Sequence, residues 1–491
     1  MAKIKKRWKE VLIIFSFCLL FFIPRYFASN LFDPMEDEFL SFMFSRDLGF
    51  GKLLLAPDYV HPGLWYALMR IPIIFFNTGI DIGLYRSIQV LIIFFCLVFS
   101  YIHFRKKLSN SFLFIFFTLF LSNIFIVHIT IQYRMFSMML GLAVIYSLFW
   151  FELIKNKGVL SYKKVLLLSV LAVVGFFTDY SMIWIIPFWP LVYLFCQKKL
   201  NLLSSHFKKI YLFFFTVFIG LIWFLPIFIQ NIKQSLPDNN WLPPFNLKNI
   251  LEIFGTSFGV IPLVDLSKLN FLIVPYTLIL VYIIWKTFKK NINTNLRKMF
   301  VGIFLILIFF LISNYFVNNK LFYARAILSL IPVFYILLAD FLTTFLKISP
   351  FKKIFVLLVL IQLSQFIIYF FQSDTVFEKY SYFNFQKHPM AFFSNFPFLY
   401  NSCLLPIPGW NSTSLEYFFE SKINVISIES LNDQLSDTNK DCANIYLLDQ
   451  ISVERDQIDV KYDYKILTQL GYQPRKLSEN YNQVLFILEK H

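Results

Sequence analysis

Carboxylates at two places near the amino terminus are the residues best suited to chemistry in this chain. Glu36-Asp37-Glu38 follow the first long apolar run, and Asp58 and His61 lie further along the same polar segment. Only 15% of all residues are charged, so three consecutive carboxylates beside an apolar run need an explanation. Such groups can take a proton from an acceptor hydroxyl or hold a cation. The alternative interpretation is a solvated loop flank.

The segments that must position these residues have the composition of a membrane protein. The chain has 491 residues, of which 58% are hydrophobic and 65 are Phe. Apolar runs long enough to cross a bilayer recur along most of its length, which indicates a polytopic helical protein. The first run, 11–28, follows a basic amino terminus, but it lacks a small-residue cleavage site. We therefore interpret it as a retained helix and not as a signal peptide.

Charge is distributed unevenly, and its pattern does not indicate nucleic-acid binding. Residues 373–491 hold 15 acidic and 10 basic side chains, whereas residues 1–372 carry a net charge of +21. The basic residues of the first part cluster in short loops between apolar runs, which is the bias expected of cytoplasmic loops. Their positions are 3–9, 105–107, 155–164, 198–209, 286–298 and 347–353.

These clusters predict eleven transmembrane helices with a cytoplasmic amino terminus. Residues 62–77 are apolar too, but a crossing there would place every later basic cluster outside. We expect residues 30–83 to form a first outer loop that holds one or two helices on the membrane surface. The predicted spans are about 11–29, 84–104, 111–130, 135–153, two within 165–197, 210–229, 271–288, 299–315, 325–345 and 354–371.

The carboxyl-terminal part loses the membrane composition. Residues 423–428 and 443–448 read as strands, so residues 1–372 are predicted to form a transmembrane module and residues 373–491 an extracytoplasmic α/β domain. Cys403 and Cys442 fall in this domain and are able to pair if it lies outside the cytoplasm; their spacing does not decide the matter. A second large outer loop is expected at 230–270.

This threading brings polar residues from five segments to the outer face. Taken singly, Arg134 could be an interfacial anchor, Asp179 a helix cap and Lys320 an ordinary loop charge. Together, carboxylates and cations on one face suit a base and a phosphate clamp. The residues are Asp37, Glu38, Asp58, His61, Tyr133, Arg134, Asp179, Tyr180, Lys320, Tyr323 and Arg325.

At these positions the chain resembles the GT-C superfamily of polyprenyl-phosphate-sugar-dependent glycosyltransferases. The nearest patterns are those of protein O-mannosyltransferase-like enzymes and lipid A aminoarabinose transferases. The resemblance covers roughly residues 10–345, with Gly63 where the family often has a second proline and Phe136 where it has a tyrosine. The matching segments are Glu36-Asp37-Glu38-Phe39, His61-Pro62-Gly63-Leu64-Trp65-Tyr66, Tyr133-Arg134-Met135-Phe136, Thr178-Asp179-Tyr180 and Tyr323-Ala324-Arg325 with Leu330-Ile331-Pro332.

The resemblance implies that Asp37 is the catalytic base, with Glu38 orienting it or contacting the acceptor. It further implies that Asp58 or His61 shapes the donor site. The implied candidates for binding the lipid phosphate are Arg134, Lys320 and Arg325.

The implied reaction is an inverting transfer from a polyprenyl-phosphate sugar to a hydroxyl of a glycan, lipid A or protein, on the outer face of a bacterial-type inner membrane. The chain lacks a Gly-rich nucleotide-binding loop, in keeping with a lipid-linked donor. No cofactor is required; a divalent cation held by Asp37, Glu38 and Asp58 is an option that some relatives use.

Two other functions compete with this one. An O-antigen ligase or polysaccharide polymerase would carry its key basic residues in a large late loop. A transporter or lipid flippase would show paired halves and polar residues inside its spans. The polar residues of this chain are predicted to gather at one face, and no internal repeat is evident.

Overall fold

The computed structural model describes most of the first 371 residues and a set of strands near the carboxyl terminus. The described residues are 22–23, 25–26, 36–55, 62–76, 82–196, 200–222, 229, 281–283, 285, 294–316, 327–345, 349–371, 403–407, 424–425, 445–450, 467–469, 472–479 and 483–490. Asp58, His61, Lys320, Tyr323, Arg325, Cys442 and the predicted loop at 230–270 lie outside them.

Thirteen α-helices are considered below. They are α1 (Glu36–Asp47), α2 (Phe50–Leu55), α3 (Leu64–Phe76), α4 (Ile82–Phe104), α5 (Asn110–Ser122), α6 (Ile124–Ile131), α7 (Phe136–Lys155), α8 (Tyr162–Thr178), α9 (Ile185–Cys196), α10 (Leu200–Ile222), α11 (Thr294–Phe316), α12 (Leu330–Phe345) and α13 (Ser349–Phe371). A short 3₁₀ helix, Tyr180–Trp184, precedes α9. Among the described residues, α4, α7 and the 295–313 part of α11 are long and apolar enough to cross a membrane, and the bent pair α5–α6 qualifies together.

Contacts between Cα atoms divide the chain into two compact units. The first comprises Met1–Asn30, Phe44–Asn77 and Gly83–Gln372, and the second comprises Leu31–Met43, Thr78–Ile82 and Ser373–His491. Helix α1 passes from the second unit into the first between Met43 and Phe44. The eleven-span count and the predicted domain boundary remain predictions.

Helix α3 supports the interpretation of residues 62–77 as a segment that does not cross. Its 13 residues reach only about 20 Å, against the roughly 30 Å of a bilayer core. One face packs through Trp65, Tyr66 and Met69, while Phe75 on the other face is 81% exposed. The described residues of the first predicted loop form three helices, α1 to α3, where one or two were expected.

The third predicted span, one helix over about 111–130, is wrong in one respect. Asn123 interrupts it, and α5 and α6 meet at 65°. The asparagine side chain accepts hydrogen bonds from the backbone N–H groups of Phe125 and Ile126, at 2.8 and 3.2 Å. Asparagine is a strong N-cap residue, so it begins a new helix where an apolar residue would have continued the old one.

Aromatic rings and one close backbone approach hold the helices of the first unit together. The rings of Phe112 and Phe151 stack at 4.8 Å, and those of Phe104 and Phe149 meet edge-on at 4.9 Å. A Cβ at Gly141 would lie 2.8 Å from the Cβ of Cys96. Glycine at this position therefore lets α7 approach α4 closely.

Three of the predicted basic clusters, 105–107, 155–164 and 198–209, are joined by hydrogen bonds at one end of this unit. The Asn156 amide donates to the Lys107 carbonyl at 3.1 Å, which joins the ends of α4 and α7. The Tyr193 hydroxyl oxygen lies 3.0 Å from Nδ1 of His206 and accepts a hydrogen bond from the Leu160 N–H at 3.3 Å. We call this the basic end; its cytoplasmic orientation remains a prediction.

In the second unit the described strands form one mixed sheet with the order β2-β1-β3-β5-β4. The strands are β1 (Cys403–Ile407), β2 (Asn424–Val425), β3 (Ile445–Gln450), β4 (Tyr472–Glu479) and β5 (Gln483–Lys490). β1 pairs in parallel with β2 and β3, while β5 is antiparallel to β3 and β4. The two predicted strands are confirmed as β2 and β3; β1 and the β4–β5 hairpin were not predicted.

Candidate functional site

The end opposite the basic end carries the predicted tips between helices. Residues 132–135 join α6 to α7, and residues 179–184 join α8 to α9. Because α7 and α8 pack together and run antiparallel, both tips lie at the same end. The Ser329 hydroxyl, just before α12, donates to the Ser181 carbonyl at 2.6 Å, so the segment that leads into α12 reaches the second tip.

Three buried aromatic side chains join the first tip to the helix that follows the His61-Pro62 segment. The ring of Tyr133 lies 5.0 Å from Trp65 of α3 and 5.7 Å from Tyr85 of α4. The Trp65 indole donates to the Gln89 amide oxygen at 3.1 Å. We call Trp65, Tyr85, Gln89, Tyr133 and the adjoining Arg134 the tip site. Two of the motifs that carry the resemblance are thus brought into contact.

Tyr133 can act in this site as a hydrogen-bonding group but not as a base. It is fully buried. Burial raises the pKa of its phenol well above the ordinary value, and the Ser45 side chain only partly opposes that shift. The phenol therefore keeps its proton at neutral pH and is able to donate it in a hydrogen bond.

Arg134 places a cation in the tip site. Its side chain is largely buried, and its guanidinium carbon lies 5.7 Å from the ring centroid of Phe136. An interfacial anchor would keep its charged head in water, so the burial favours a binding role over the anchor interpretation. A guanidinium in a water-poor site suits a phosphate, because it offers several donors in one plane.

The helix-cap interpretation of Asp179 is realised. Its Oδ1 accepts from the Ser181 N–H at 2.7 Å and begins the 3₁₀ helix. Tyr180 is half-buried, and its ring lies 5.4 Å from that of Phe176. Asp179 therefore stabilises the start of the 3₁₀ helix through one of its two carboxylate oxygens.

Two substitutions of Asp179 separate the effect of its charge from the effect of its hydrogen bond. Asp179→Asn retains an oxygen for the Ser181 N–H, so we expect thermal stability close to that of the native chain. Asp179→Ala removes the acceptor and should lower the free energy of unfolding by about 1 kcal/mol. Thermal unfolding of both variants in detergent is the measurement; equal losses would contradict the capping role.

The acidic residues at the start of α1 are only partly described. Asp37 and Glu38 lie in the first turn of α1, and Glu38 is 1% exposed. Glu36, Asp37 and Glu38 thus follow one another at the start of α1. Among the described residues, no group of three or more His, Cys, Asp or Glu side chains could hold a metal ion.

Arg70, which sequence reasoning missed, fixes the other end of α1. Its Nη1 donates to the Arg46 carbonyl at 2.8 Å and to the Ser45 carbonyl at 3.3 Å, and it also reaches the Leu48 carbonyl. A cation at the carboxyl-terminal end of a helix satisfies its last carbonyls and complements its dipole. A lone Arg within the apolar run 62–77 was the available signal.

Loss of this cap should loosen α1. Arg70→Ala removes every contact to the three carbonyls, and we expect amide hydrogen exchange of residues 44–50 to accelerate by about tenfold, the equivalent of roughly 1.4 kcal/mol. Arg70→Lys retains a cation and should recover most of the protection. Exchange that is the same in the Ala variant and the native chain would show that Arg70 does not hold α1.

Two polar residues of α4 were also missed. Arg86 is 3% exposed and Gln89 is fully buried, within a helix that is mainly apolar. They are one helical turn apart, so they lie on the same face of α4. Polar residues at helical spacing inside an apolar span are themselves a site signal, and that signal was present in the sequence.

Comparison with known proteins shows the fold. No family model and no curated protein sequence matches the chain. The crystal structure of ArnT from Cupriavidus metallidurans in the apo state matches with a TM-score of 0.55 at 12% identity, over 98% of both chains. The structure of the same protein bound to undecaprenyl phosphate matches with a TM-score of 0.53 at 11% identity, again over 98% of both. The chain thus has an ArnT-like fold over nearly its whole length, and the resemblance stated from its motifs is confirmed at that level.

Proposed function

We propose that this protein is an integral-membrane glycosyltransferase that moves a sugar from a polyprenyl-phosphate donor to an acceptor hydroxyl. The observation that carries the proposal is the match over 98% of the chain to ArnT from Cupriavidus metallidurans, which has also been solved bound to undecaprenyl phosphate. The match covers both units and is not limited to the helices of the first unit.

The tip site supplies the chemistry that such a donor requires. When the bond between the anomeric carbon and the phosphate oxygen breaks, its electron pair stays on that oxygen, and negative charge develops there. A buried cation stabilises this charge and so favours departure of the polyprenyl phosphate. We propose Arg134 as that cation and the buried Tyr133, its neighbour in sequence, as a neutral hydrogen-bond donor. Lys320 and Arg325 are proposed as further cations for the same phosphate.

The base of the proposed reaction is Asp37. The acceptor oxygen attacks the anomeric carbon as the bond from that carbon to the phosphate oxygen breaks, and the acceptor proton passes to the Asp37 carboxylate. The displacement inverts the anomeric configuration. Glu38 orients Asp37 or the acceptor, while Asp58, His61, Asp179 and Tyr180 shape the donor and acceptor sites.

The proposed setting is the outer face of an inner membrane. In this proposal the basic end faces the cytoplasm by the positive-inside rule, and transfer takes place on the opposite side of the membrane. Residues 373–491 are proposed to be extracytoplasmic. The acceptor is a hydroxyl of a glycan, lipid A or protein.

Sugar transfer tests this proposal directly. Purified protein in lipid nanodiscs is offered a panel of polyprenyl-phosphate sugars, and release of labelled sugar is measured beside Arg134→Gln. We expect one donor to be turned over and the variant to lose activity, because glutamine removes the positive charge while it retains an N–H donor group. A folded protein that turns over no donor with any acceptor of the three classes would contradict the proposal.

A further inference from the structure

The bend between α5 and α6 contains a buried arginine. Arg25 is fully buried and comes from the apolar run that is predicted to be the first span. Its Nε donates to the Thr130 hydroxyl oxygen at 2.9 Å, and its Nη2 donates to the Leu121 carbonyl at 3.2 Å. Leu121 belongs to α5 and Thr130 to α6, so one guanidinium holds both arms of the bend.

The bend itself creates the need for this contact. In a continuous helix the Phe125 N–H would donate to the Leu121 carbonyl; here it donates to the Asn123 side chain instead. The Leu121 carbonyl is left without its helical donor, and a bare carbonyl inside the bundle is expensive. The Arg25 Nη2 supplies the replacement donor.

Side chains from two other helices brace the same break. The Asn123 amide donates to the Tyr335 hydroxyl oxygen of α12 at 2.9 Å, and the Gln362 amide of α13 donates to the same oxygen at 2.8 Å. The Ser122 hydroxyl lies 2.6 Å from the Gln362 amide oxygen. The bend is thus fixed against α12 and α13 by hydrogen bonds that have defined directions.

The carboxyl-terminal end of α6 leads directly into Tyr133 and Arg134 of the tip site. α6 has eight residues and is therefore about 12 Å long. A change of about 10° in the bend would move its end, and with it Tyr133 and Arg134, by roughly 2 Å. The Ser137 hydroxyl donates to the Thr130 carbonyl at 2.8 Å, so the residue that Arg25 binds is also tied to the start of α7.

We propose that Arg25 is a positioning residue that locks the α5–α6 bend and thereby sets the place of Tyr133 and Arg134. It acts through Thr130 and the short helix α6, which ends just before Tyr133 and Arg134. Its effect on catalysis rests on the proposed function; its effect on the bend does not. A displacement of about 1 Å in a phosphate clamp is enough to reduce turnover about 10²-fold.

Thr130 provides the sharper test, because its substitutions are small. Thr130→Val removes the oxygen that accepts from Arg25 and keeps the shape of the side chain; Thr130→Ser keeps the oxygen and serves as the matched control. Arg25→Lys retains the charge, but one ammonium cannot span both arms in the way the guanidinium fork does.

Hydrogen exchange of the full-length protein in nanodiscs reads the bend without any substrate. We expect amides of residues 124–137 to exchange about tenfold faster in Thr130→Val and Arg25→Lys, with residues 152–164 at the basic end unchanged and with native rates in Thr130→Ser. Native rates in both test variants would overturn the lock. Equal acceleration at both ends would also overturn it, because it would mean general destabilisation.

A second readout separates this inference from the proposed function. With a donor that the native protein turns over, we expect kcat to fall about 10²-fold in Thr130→Val, while KM for the acceptor changes little. Native kcat in that variant would overturn the positioning role. If the native protein turns over no donor, the proposed function fails and the exchange rates alone decide whether Arg25 holds the bend.

Discussion

Asp37→Asn should abolish sugar transfer while the protein remains folded. Asparagine has nearly the same shape as aspartate but cannot accept a proton at neutral pH, so only the proton-transfer step is removed. A positioned general base contributes about 10²–10⁴-fold to a rate, and we expect a loss of that size in kcat. The measurement is single-turnover transfer from the donor that the native protein accepts.

Asp47→Asn is the matched control for this variant. Asp47 ends the same helix, is exposed and pairs with its neighbour Arg46 at 2.5 Å. The identical substitution there should leave transfer unchanged. Glu38→Gln completes the set, because Glu38 is the adjacent carboxylate. Near-native transfer by Asp37→Asn would rule out Asp37 as the base, and a selective loss in Glu38→Gln would assign that role to Glu38.

Lys155→Met should destabilise the protein more than Asp340→Asn does, although both break the same ion pair. The Lys155 ammonium lies 2.5 Å from the Asp340 carboxylate; the Asp340 side chain is 2% exposed and that of Lys155 is 38% exposed. Removal of the lysine leaves a carboxylate in the interior, whereas removal of the aspartate leaves a lysine that can turn to water. Fully buried pairs lose about 3–5 kcal/mol when one partner is removed.

Because Lys155 is partly exposed, we expect about 2 kcal/mol for Lys155→Met and under about 1 kcal/mol for Asp340→Asn. The double variant should be more stable than Lys155→Met alone, since it leaves no buried charge. Thermal unfolding of the three variants in detergent measures the difference. Equal losses in the two single variants would show that burial does not govern this pair.

Arg134 and Asp179 show what residue types and spacing can predict and what they cannot. The sequence placed both at outer tips, and it offered two interpretations of each. The burial of Arg134 argues against its interpretation as an interfacial anchor. The hydrogen bond that Asp179 accepts from the Ser181 N–H supports its interpretation as a helix cap. Burial and hydrogen-bond partners are properties of the packed chain, so spacing could not choose between them.

The break at Asn123 and the role of Arg25 were out of reach for a related reason. An apolar run with one asparagine reads as a continuous span, because hydropathy averages over the whole window. The expectation that polar residues gather only at the outer face was also too simple. Asn123, Tyr335 and Gln362 bond to one another within the bundle, where their mutual hydrogen bonds compensate for the loss of water.

The helical membrane class, two strands of the second unit and the family resemblance could be predicted from the residues alone, as could the grouping of the basic clusters 105–107, 155–164 and 198–209 at one end. These follow from local patterns of hydropathy and charge, which act through the solvent that each segment meets. The bend of α5–α6, the cap that Arg70 gives α1 and the contact of Tyr133 with Trp65 and Tyr85 became evident only from the packing of the helices. Those depend on partners between 20 and more than 100 positions apart, and hydrogen bonds between such partners form only when the whole bundle packs.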